Sequence, residues 1–171
     1  MSARATTTAV PVQIDVPERA TPEVVEVVQR LLPDLSSSAA IPGPEAVKRL
    51  VESESTRLIV ARDGDQIVGI LTLVVFQLPT GLRGRLEDLV IDEAARGRGI
   101  SLAMMREGIR LAREAKVRTI DFTARPSRVA ASRMYDRLEE MGFLRRDTHV
   151  YRYEVEPDEE QPPSSPQAVS R

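Results

Sequence analysis

Residues 96–101 have the composition and spacing of an anion-binding loop. They read Arg-Gly-Arg-Gly-Ile-Ser, after a hydrophobic run at 86–91 and at the start of a helical pattern at 100–116. The first N–H groups of a helix have no partner within the helix, and the helix dipole adds partial positive charge there. Glycines let the backbone turn and approach a ligand closely. This order predicts a phosphate site, although a glycine-rich turn with two solvated arginines fits the same pattern.

Composition excludes several kinds of chemistry. The absence of cysteine rules out disulfides, a thiolate metal site and a cysteine nucleophile, and with a single histidine no zinc site is expected. The net charge of −2 gives no reason to expect nucleic acid or an anionic membrane as a partner. Hydrophobic residues make up 42% and aromatic residues 4%, which predicts a largely aliphatic core.

Length and patterning predict one domain with two tails. Residues 1–10 form a Thr- and Ala-rich tail without the apolar segment of a signal peptide, and residues 156–171 form an acidic, then Pro- and Ser-rich tail that should be disordered. The domain is therefore expected at 11–155. No apolar run is long enough to span a bilayer, so a cytoplasmic protein is expected.

Hydrophobic periodicity predicts an α/β order of elements. Strands are expected at 12–16, 57–61, 66–76, 85–91, 117–123, 143–144 and 148–155, the last two as a hairpin, and helices at 22–32, 44–52, 100–116 and 129–141. Residues 33–44 read as a long connection and 79–84 as a turn. Thr21 is a predicted N-cap, Asp63-Gly64 a tight hairpin and Gly142 a C-cap. Gly69 is expected at a bulge or close approach, and Gly108 where a helix packs closely on the sheet.

Three motifs in order give the chain a family resemblance. They are Leu86-Glu87-Asp88-Leu89-Val90-Ile91-Asp92, then Arg96-x-x-Gly99-x-Ser101, then Ala130-Ala131-Ser132-Arg133-Met134-Tyr135 followed by Met141-Gly142-Phe143. The chain resembles the GNAT superfamily of acyl-CoA-dependent N-acetyltransferases over about residues 12–155. The resemblance implies a single-domain α/β (α+β) fold, with a mostly antiparallel mixed sheet flanked by about four helices. Ser101 departs from the usual Gly or Ala, and the spacing from Tyr135 to Gly142 is longer than usual.

The resemblance also implies the cofactor and where it binds. Acetyl-CoA is the expected acyl donor, with its pyrophosphate on the N–H groups of the loop and its pantetheine arm along the end of the preceding strand. A bulge in that strand would open the slot. No metal is implied. The expected cofactor-binding residues are Leu89, Val90, Ile91, Arg96, Gly97, Arg98, Gly99, Ile100, Ser101 and Ser132.

Two residues are the candidate catalysts in direct attack of an amine on the thioester. Glu87 is the candidate general base because an ammonium must lose a proton first; by strand alternation it should share a face with Leu89, and Asp88 is the second candidate. Equally, Glu87 could bind a substrate cation or pair with Arg85 or Arg83. Tyr135 is the candidate general acid for the departing thiolate. As an amphipathic core tyrosine it would have no such role.

The expected function is transfer of an acetyl group to a primary amine, chiefly of a small molecule, with the acceptor pocket formed by residues 33–44 and 77–84. A protein N-terminus or lysine is the alternative acceptor. A catalytically weak acyl-CoA-binding sensor or scaffold is a further alternative. No nucleic acid or membrane partner is expected. Exposed terminal strands in such a fold often pair, which leaves a homodimer open.

Overall fold

A five-stranded mixed sheet dominates the computed structural model, which describes residues 12–36, 38–123, 137–153 and 155. The strands are β1 (Gln13–Asp15), β2 (Thr56–Asp63), β3 (Gln66–Leu78), β4 (Gly81–Ile91) and β5 (Thr119–Phe122). They lie side by side in chain order. The first four are antiparallel, and β4 and β5 are parallel. The predicted fold class is confirmed.

Three helices accompany the sheet, namely α1 (Pro22–Leu35), α2 (Pro44–Val51) and α3 (Ile100–Glu114). A 3₁₀ turn at Glu93–Ala95 precedes α3, and residues 137–140 are also helical. Contacts divide the chain into a larger unit, Met1–Arg125, and a smaller one, Pro126–Arg171. Within the described residues, no helix is both long and apolar enough to cross a membrane.

Helix α1 begins as the sequence predicts and ends later. The Thr21 hydroxyl accepts a hydrogen bond from the Val24 N–H, and Pro22 occupies the first turn. The helix continues through Pro33 to Leu35, although a connection was predicted from residue 33. Proline cannot donate to the carbonyl four residues earlier. The helix loses that one bond, and the Ser36 N–H still reaches the Leu32 carbonyl at 3.0 Å.

The two faces of the sheet are covered by different helices. On one face, α1 and α2 form a core with side chains from β2, β3 and β4 (Leu58, Val60, Ile67, Ile70 and Val90). On the other face lies α3, whose Gly108 meets Leu86. A Cβ at Gly108 would lie 2.8 Å from Leu86 Cδ2. The predicted close approach at Gly108 is therefore confirmed, because a larger residue would push α3 off the strand.

Further glycines occur where the sequence predicts special backbone geometry. Gly64 lies in the two-residue connection between β2 and β3. A Cβ at Gly69 would lie 2.5 Å from Ile91 Cδ1, which confirms the predicted close approach. In the smaller unit, the Gly142 N–H donates to the Glu139 carbonyl and the Phe143 N–H to that of Leu138, both at 2.9 Å. This pair of bonds is the Schellman arrangement, so the predicted C-cap is confirmed.

Two predicted elements are wrong. The turn expected at 79–84 is only Pro79-Thr80, because Gly81 already pairs with Leu78. Gly84 is a buried strand residue, paired with Val75 of β3. The hairpin at 143–144 and 148–155 does not form in residues 143–153 and 155, which adopt no strand. Alternation in a sequence predicts a strand only if a partner is available, and most large hydrophobic side chains of this segment, such as Val150 and Tyr151, are exposed.

Candidate active site

Strand β4 contains a bulge near its end. Val90 pairs with Ile70 and Glu87 pairs with Thr72, so three steps along β4 match two steps along β3. Asp88 and Leu89 together lie opposite Leu71, and Asp88 has a left-handed backbone with φ of 56°. The bulge implied by the family resemblance is therefore confirmed. An extra residue bends the strand and takes part of its backbone out of the ladder.

The same end of β4 extends beyond its pairing with β5. The last pair in the parallel ladder is Leu86 with Phe122, whereas β4 continues to Ile91. Across residues 12–123, no strand pairs with β4 on that side from Glu87 to Ile91. An extended ligand could therefore bind along this edge as an added strand would.

The bulge changes the face on which Glu87 lies. Thr72 and Ile70 are two residues apart on β3 and lie on one face, so their partners Glu87 and Val90 also share a face. The prediction that Glu87 shares a face with Leu89 is therefore wrong, because it assumed regular alternation. The Glu87 carboxylate accepts a hydrogen bond from Arg85 Nε and forms an ion pair with it. This is the partner named in the alternative interpretation of Glu87.

Asp88, the second candidate base, lies in the bulge. The residue is exposed, but the protein around its carboxyl removes part of the hydration. This desolvation, followed by the negative charge of Glu87, raises the pKa of Asp88 above its ordinary value. Two carboxylates thus lie at the open edge of β4. Glu87 is paired with Arg85, and Asp88 has a raised pKa.

The predicted phosphate loop turns into α3 at Gly99. Gly97 and Gly99 have φ of 79° and 77°, and Gly99 is the N-cap residue of the helix. The first bond of the helix runs from the Ala103 N–H to the Gly99 carbonyl at 3.1 Å. The N–H groups of Ile100, Ser101 and Leu102 meet no acceptor among the described residues. The loop therefore presents free donors at the positive end of a helix.

Both arginines of the loop are already in ion pairs. Arg96 donates from Nε to the Ile91 carbonyl at 3.1 Å, and its Nη2 lies 3.5 Å from Asp34. Arg98 pairs through two nitrogens with Asp63 at the end of β2. The Arg98 guanidinium lowers the pKa of Asp63. A phosphate ligand would therefore compete with two carboxylates for these cations.

Helix α1 holds the start of the loop. Arg30 Nη1 lies 2.6 Å and 2.7 Å from the two carboxylate oxygens of Asp92, and its Nη2 donates to the Ile67 carbonyl at 2.8 Å. Asp34, one turn later, approaches Arg96. Sequence reasoning missed Arg30, Asp34, Asp63 and Asp92. The sequence does show opposite charges four residues apart at Arg30 and Asp34, and again at 92 and 96. This spacing does not identify which residues pair with each other.

Other predicted site residues lie outside the described part of the chain. Tyr135 and Ser132 fall in the interval 124–136, so their predicted roles stay predictions. Leu89, Val90, Ile91 and the loop residues of the prediction are brought together at the end of β4 and the start of α3. Among the residues described, no group of three or more His, Cys, Asp or Glu side chains could hold a metal ion.

Comparison with known proteins identifies the family. The model of the acetyltransferase (GNAT) family matches residues 25–143, which is most of the chain. The protein therefore belongs to the GNAT family and is an acyltransferase. No curated protein matched the sequence.

Solved structures share the fold at low sequence identity. An aminoglycoside acetyltransferase from an uncultured soil metagenomic sample has a TM-score of 0.71 and 19% identity, covering 85% of this chain and 97% of its own. A ribosomal-protein-alanine N-acetyltransferase from Brucella melitensis biovar Abortus 2308 has a TM-score of 0.67 and 17% identity, covering 85% and 100%. A transcriptional regulator from Bacillus halodurans C-125 has a TM-score of 0.69 and 25% identity, with the same coverage.

Proposed function

We propose that the protein transfers the acetyl group of acetyl-CoA to a primary amine of a small molecule. One observation carries the proposal, namely that the bulged end of β4, whose β5-side edge pairs with no strand in residues 12–123, leads directly into a helix start with free N–H groups. The first feature suits an extended amide-bearing arm, and the second suits a pyrophosphate. Membership of the GNAT family supplies the reaction class.

The residues present fit an acyl-CoA. Free N–H groups at Ile100, Ser101 and Leu102 can donate to pyrophosphate oxygens, and the guanidinium groups of Arg96 and Arg98 can add charge-assisted bonds. Residues Leu89, Val90 and Ile91 can offer backbone groups to the pantetheine amides. When bound, acetyl-CoA would supply an acyl carbon activated as a thioester, with which the amine forms a C–N bond as the C–S bond breaks.

The chain's own side chains would handle the protons. An alkyl amine with a pKa of about 10.4 is protonated at neutral pH and must lose a proton before it attacks. In the proposal, the Glu87 carboxylate accepts that proton directly or through water, with Asp88 as the alternative acceptor. Tyr135 would donate a proton to the departing sulfur, and a backbone N–H at the bulge would polarise the carbonyl. Ser132 would hydrogen-bond the pantetheine arm.

Two measurements test the proposal in sequence. Acetyl-CoA should raise the melting temperature, because a ligand that binds only the folded state stabilises it. An amine panel followed by release of CoA thiol should then identify an acceptor, and the protein has no cysteine to contribute background. Absence of a melting shift at saturating acetyl-CoA would disprove the donor. A melting shift without thiol release from any amine would favour the sensor or scaffold.

The role of Tyr135 has a separate test. Tyr135→Phe removes the hydroxyl and keeps the ring, so kcat should fall by about 100-fold while the affinity for CoA changes little. Tyr151→Phe, at an exposed position in the same unit, is the matched control and should leave kcat unchanged. Equal turnover of Tyr135→Phe and the unmodified protein would exclude Tyr135 as the acid.

A further inference from the structure

Strand β4 carries a row of charged side chains before the bulge. Arg83, Arg85 and Glu87 alternate along the strand and therefore share one face, opposite Phe76, Val74 and Thr72 of β3. We call these three charged residues the charged strip. It ends where the bulge begins, next to the proposed reaction centre.

The charged strip is open to solvent because α1 and α2 cover only part of this face. Their core includes Ile70 and Val90, which lie beyond Glu87, and Leu58, which is level with Glu87 across Thr72. Exposure increases in the other direction along β3, since Thr72 is 6% exposed, Val74 is half-buried and Phe76 is 37% exposed. Side chains of the charged strip are half-exposed. A ligand that reaches the end of β4 from this side would pass along them.

The charges run from positive to negative towards the bulge. Arg83 is oriented by neutral hydroxyls, donating to Thr119 Oγ1 at 2.7 Å and Thr80 Oγ1 at 3.0 Å. Within the described part of the chain it forms no ion pair, in contrast to Arg85, which pairs with Glu87. Arg118, beside the same turn, donates to the Thr80 carbonyl at 3.0 Å. Asp121 of β5 is the ladder partner of Arg85 and adds a negative charge in the middle of the strip. Positive charge therefore predominates only at the turn, around Arg83 and Arg118, and the carboxylates of Glu87 and Asp88 lie at the other end.

We infer that the acceptor is an amine that also carries an anionic group, such as a carboxylate. The inference rests on the proposed function and names its substrate class. In this arrangement the ammonium end lies near Glu87 and Asp88, and the anion lies at Arg83. At about 3.3 Å per residue, Arg83 and Arg85 lie roughly 13 Å and 7 Å along the strand from Glu87. A substrate with its two charges about 7–13 Å apart fits this spacing.

The same charge pattern disfavours a polycationic acceptor such as an aminoglycoside. An aminoglycoside would place further ammonium groups beside Arg83, where like charges repel. The aminoglycoside acetyltransferase that shares the fold is only 19% identical, so its acceptor does not transfer to this chain. Complementary charge at both ends would instead align a dipolar substrate with its amine at the bulge.

Oligoglycines of increasing length can test the distance between the amine and the carboxylate that this inference requires. Diglycine, triglycine and tetraglycine separate the amine from the carboxylate by about 7, 10 and 14 Å when extended. Each has a matched C-terminal amide that lacks the negative charge. With acetyl-CoA as donor, kcat/KM should be about tenfold higher for the acid than for the amide at the best length, as expected for loss of one charge-assisted hydrogen bond. Kanamycin, a polycation, should react more slowly than the best acid.

Substitutions then locate the effect. Arg83→Gln should reduce the acid-to-amide ratio towards one, whereas Arg83→Lys should retain part of the preference. Arg57→Gln is the control, because Arg57 is an exposed arginine on β2 whose guanidinium, among the described residues, donates only to nearby backbone carbonyls. It should leave the ratio unchanged.

The outcomes separate this inference from the proposed function. The inference would be overturned if the amides are acetylated and the acid-to-amide ratio of kcat/KM is one or less at every peptide length. The N-acetyltransferase activity itself would then still stand. A ratio above one that persists in Arg83→Gln would also overturn the inference. A ratio that depends on Arg83 supports it. Absence of a melting shift with acetyl-CoA would count against the proposed function itself.

Discussion

Arginines lie at both ends of β4, and they differ in their ion-pair and hydrogen-bond partners. Beyond the C-terminal end, Arg96 and Arg98 pair with Asp34 and Asp63, which belong to other elements. Near the N-terminal end, Arg83 is held by two hydroxyls. Exposed ion pairs are worth only about 0–1 kcal/mol. Arg96 and Arg98 are thus neutralised by carboxylates that an anionic ligand could replace at little cost. The charge of Arg83 is not neutralised by a carboxylate among the described residues.

This difference suggests two kinds of binding. At the predicted phosphate loop, a highly charged ligand would replace carboxylates that the protein already supplies, and the backbone N–H groups would provide selectivity. At the charged strip, a weakly charged ligand would meet Arg83, a cation that neutral hydroxyl groups orient. The following predictions test the comparison, starting with the largest expected effect.

Glu87 lies between the two ends, and its replacement should have the largest effect. Glu87→Gln should lower kcat/KM by about 100-fold near neutral pH, because general-base catalysis typically contributes at least that much. The loss should shrink at high pH, where the amine is already deprotonated. A pH–rate profile measures this. An equal loss at every pH would make Glu87 a substrate-binding residue.

Gly99→Val tests the phosphate-loop end. Valine at a φ of 77° is strained by roughly 1–3 kcal/mol, and relief of that strain would turn the N–H groups away from the ligand. The Kd for CoA should rise at least about tenfold by calorimetry. Gly81→Val, at φ of 116° in the first residue of β4, is a control that is also strained by a positive φ. It should lower stability but not affinity for CoA; equal losses in both variants would refute a special role for Gly99.

Asp63→Asn tests whether the carboxylates compete with the ligand. Arg98 would no longer have to exchange an ion pair, so CoA should bind about two- to fivefold more tightly, in line with the small value of an exposed pair. Asp65→Asn, in the same hairpin but without an ion pair among the described residues, should bind as the unmodified protein does. Weaker binding by Asp63→Asn would show that Asp63 orients Arg98 for the ligand.

Asp88→Asn should give the smallest effect, on stability alone. Because folding raises the pKa of Asp88, the folded state binds the proton more tightly than the unfolded state. Stability is therefore lost as pH rises through the window above the ordinary value of about 3.9. The Asn variant should melt slightly higher than the unmodified protein at pH 7, and the difference should disappear below that window. A lower melting temperature at pH 7 would contradict the raised pKa.

Local signals made much of the fold predictable. Thr21 and Pro22 start a helix because capping needs only adjacent residues, and Gly99 fits its turn because few residues adopt a positive φ. Glu87 could be placed on the correct strand. Its face could not be deduced, since the extra residue of the bulge changes the alternation and no local feature fixes its position.

Features that depend on distant partners were not predictable. The contact between Arg30 and Asp92 joins residues 62 positions apart, and Arg83 became notable only once β3, β5 and the intervening turn were placed around it. The predicted hairpin after residue 142 was wrong for the same reason, because an alternating pattern does not specify what a strand pairs with.

The contact at Gly108 has a consequence for ligand binding at a distance. Helix α3 rests on Leu86 at this point, about eight residues or 12 Å from its first turn. Because α3 is in contact with β4 at Gly108, the position of its N-terminal end depends on the packing at this contact. A side chain added at Gly108 would tilt the helix about that point and move the N–H groups of the proposed phosphate site relative to β4. Gly108, which is not part of the proposed binding site, would thus set the position of the start of α3 relative to the end of β4.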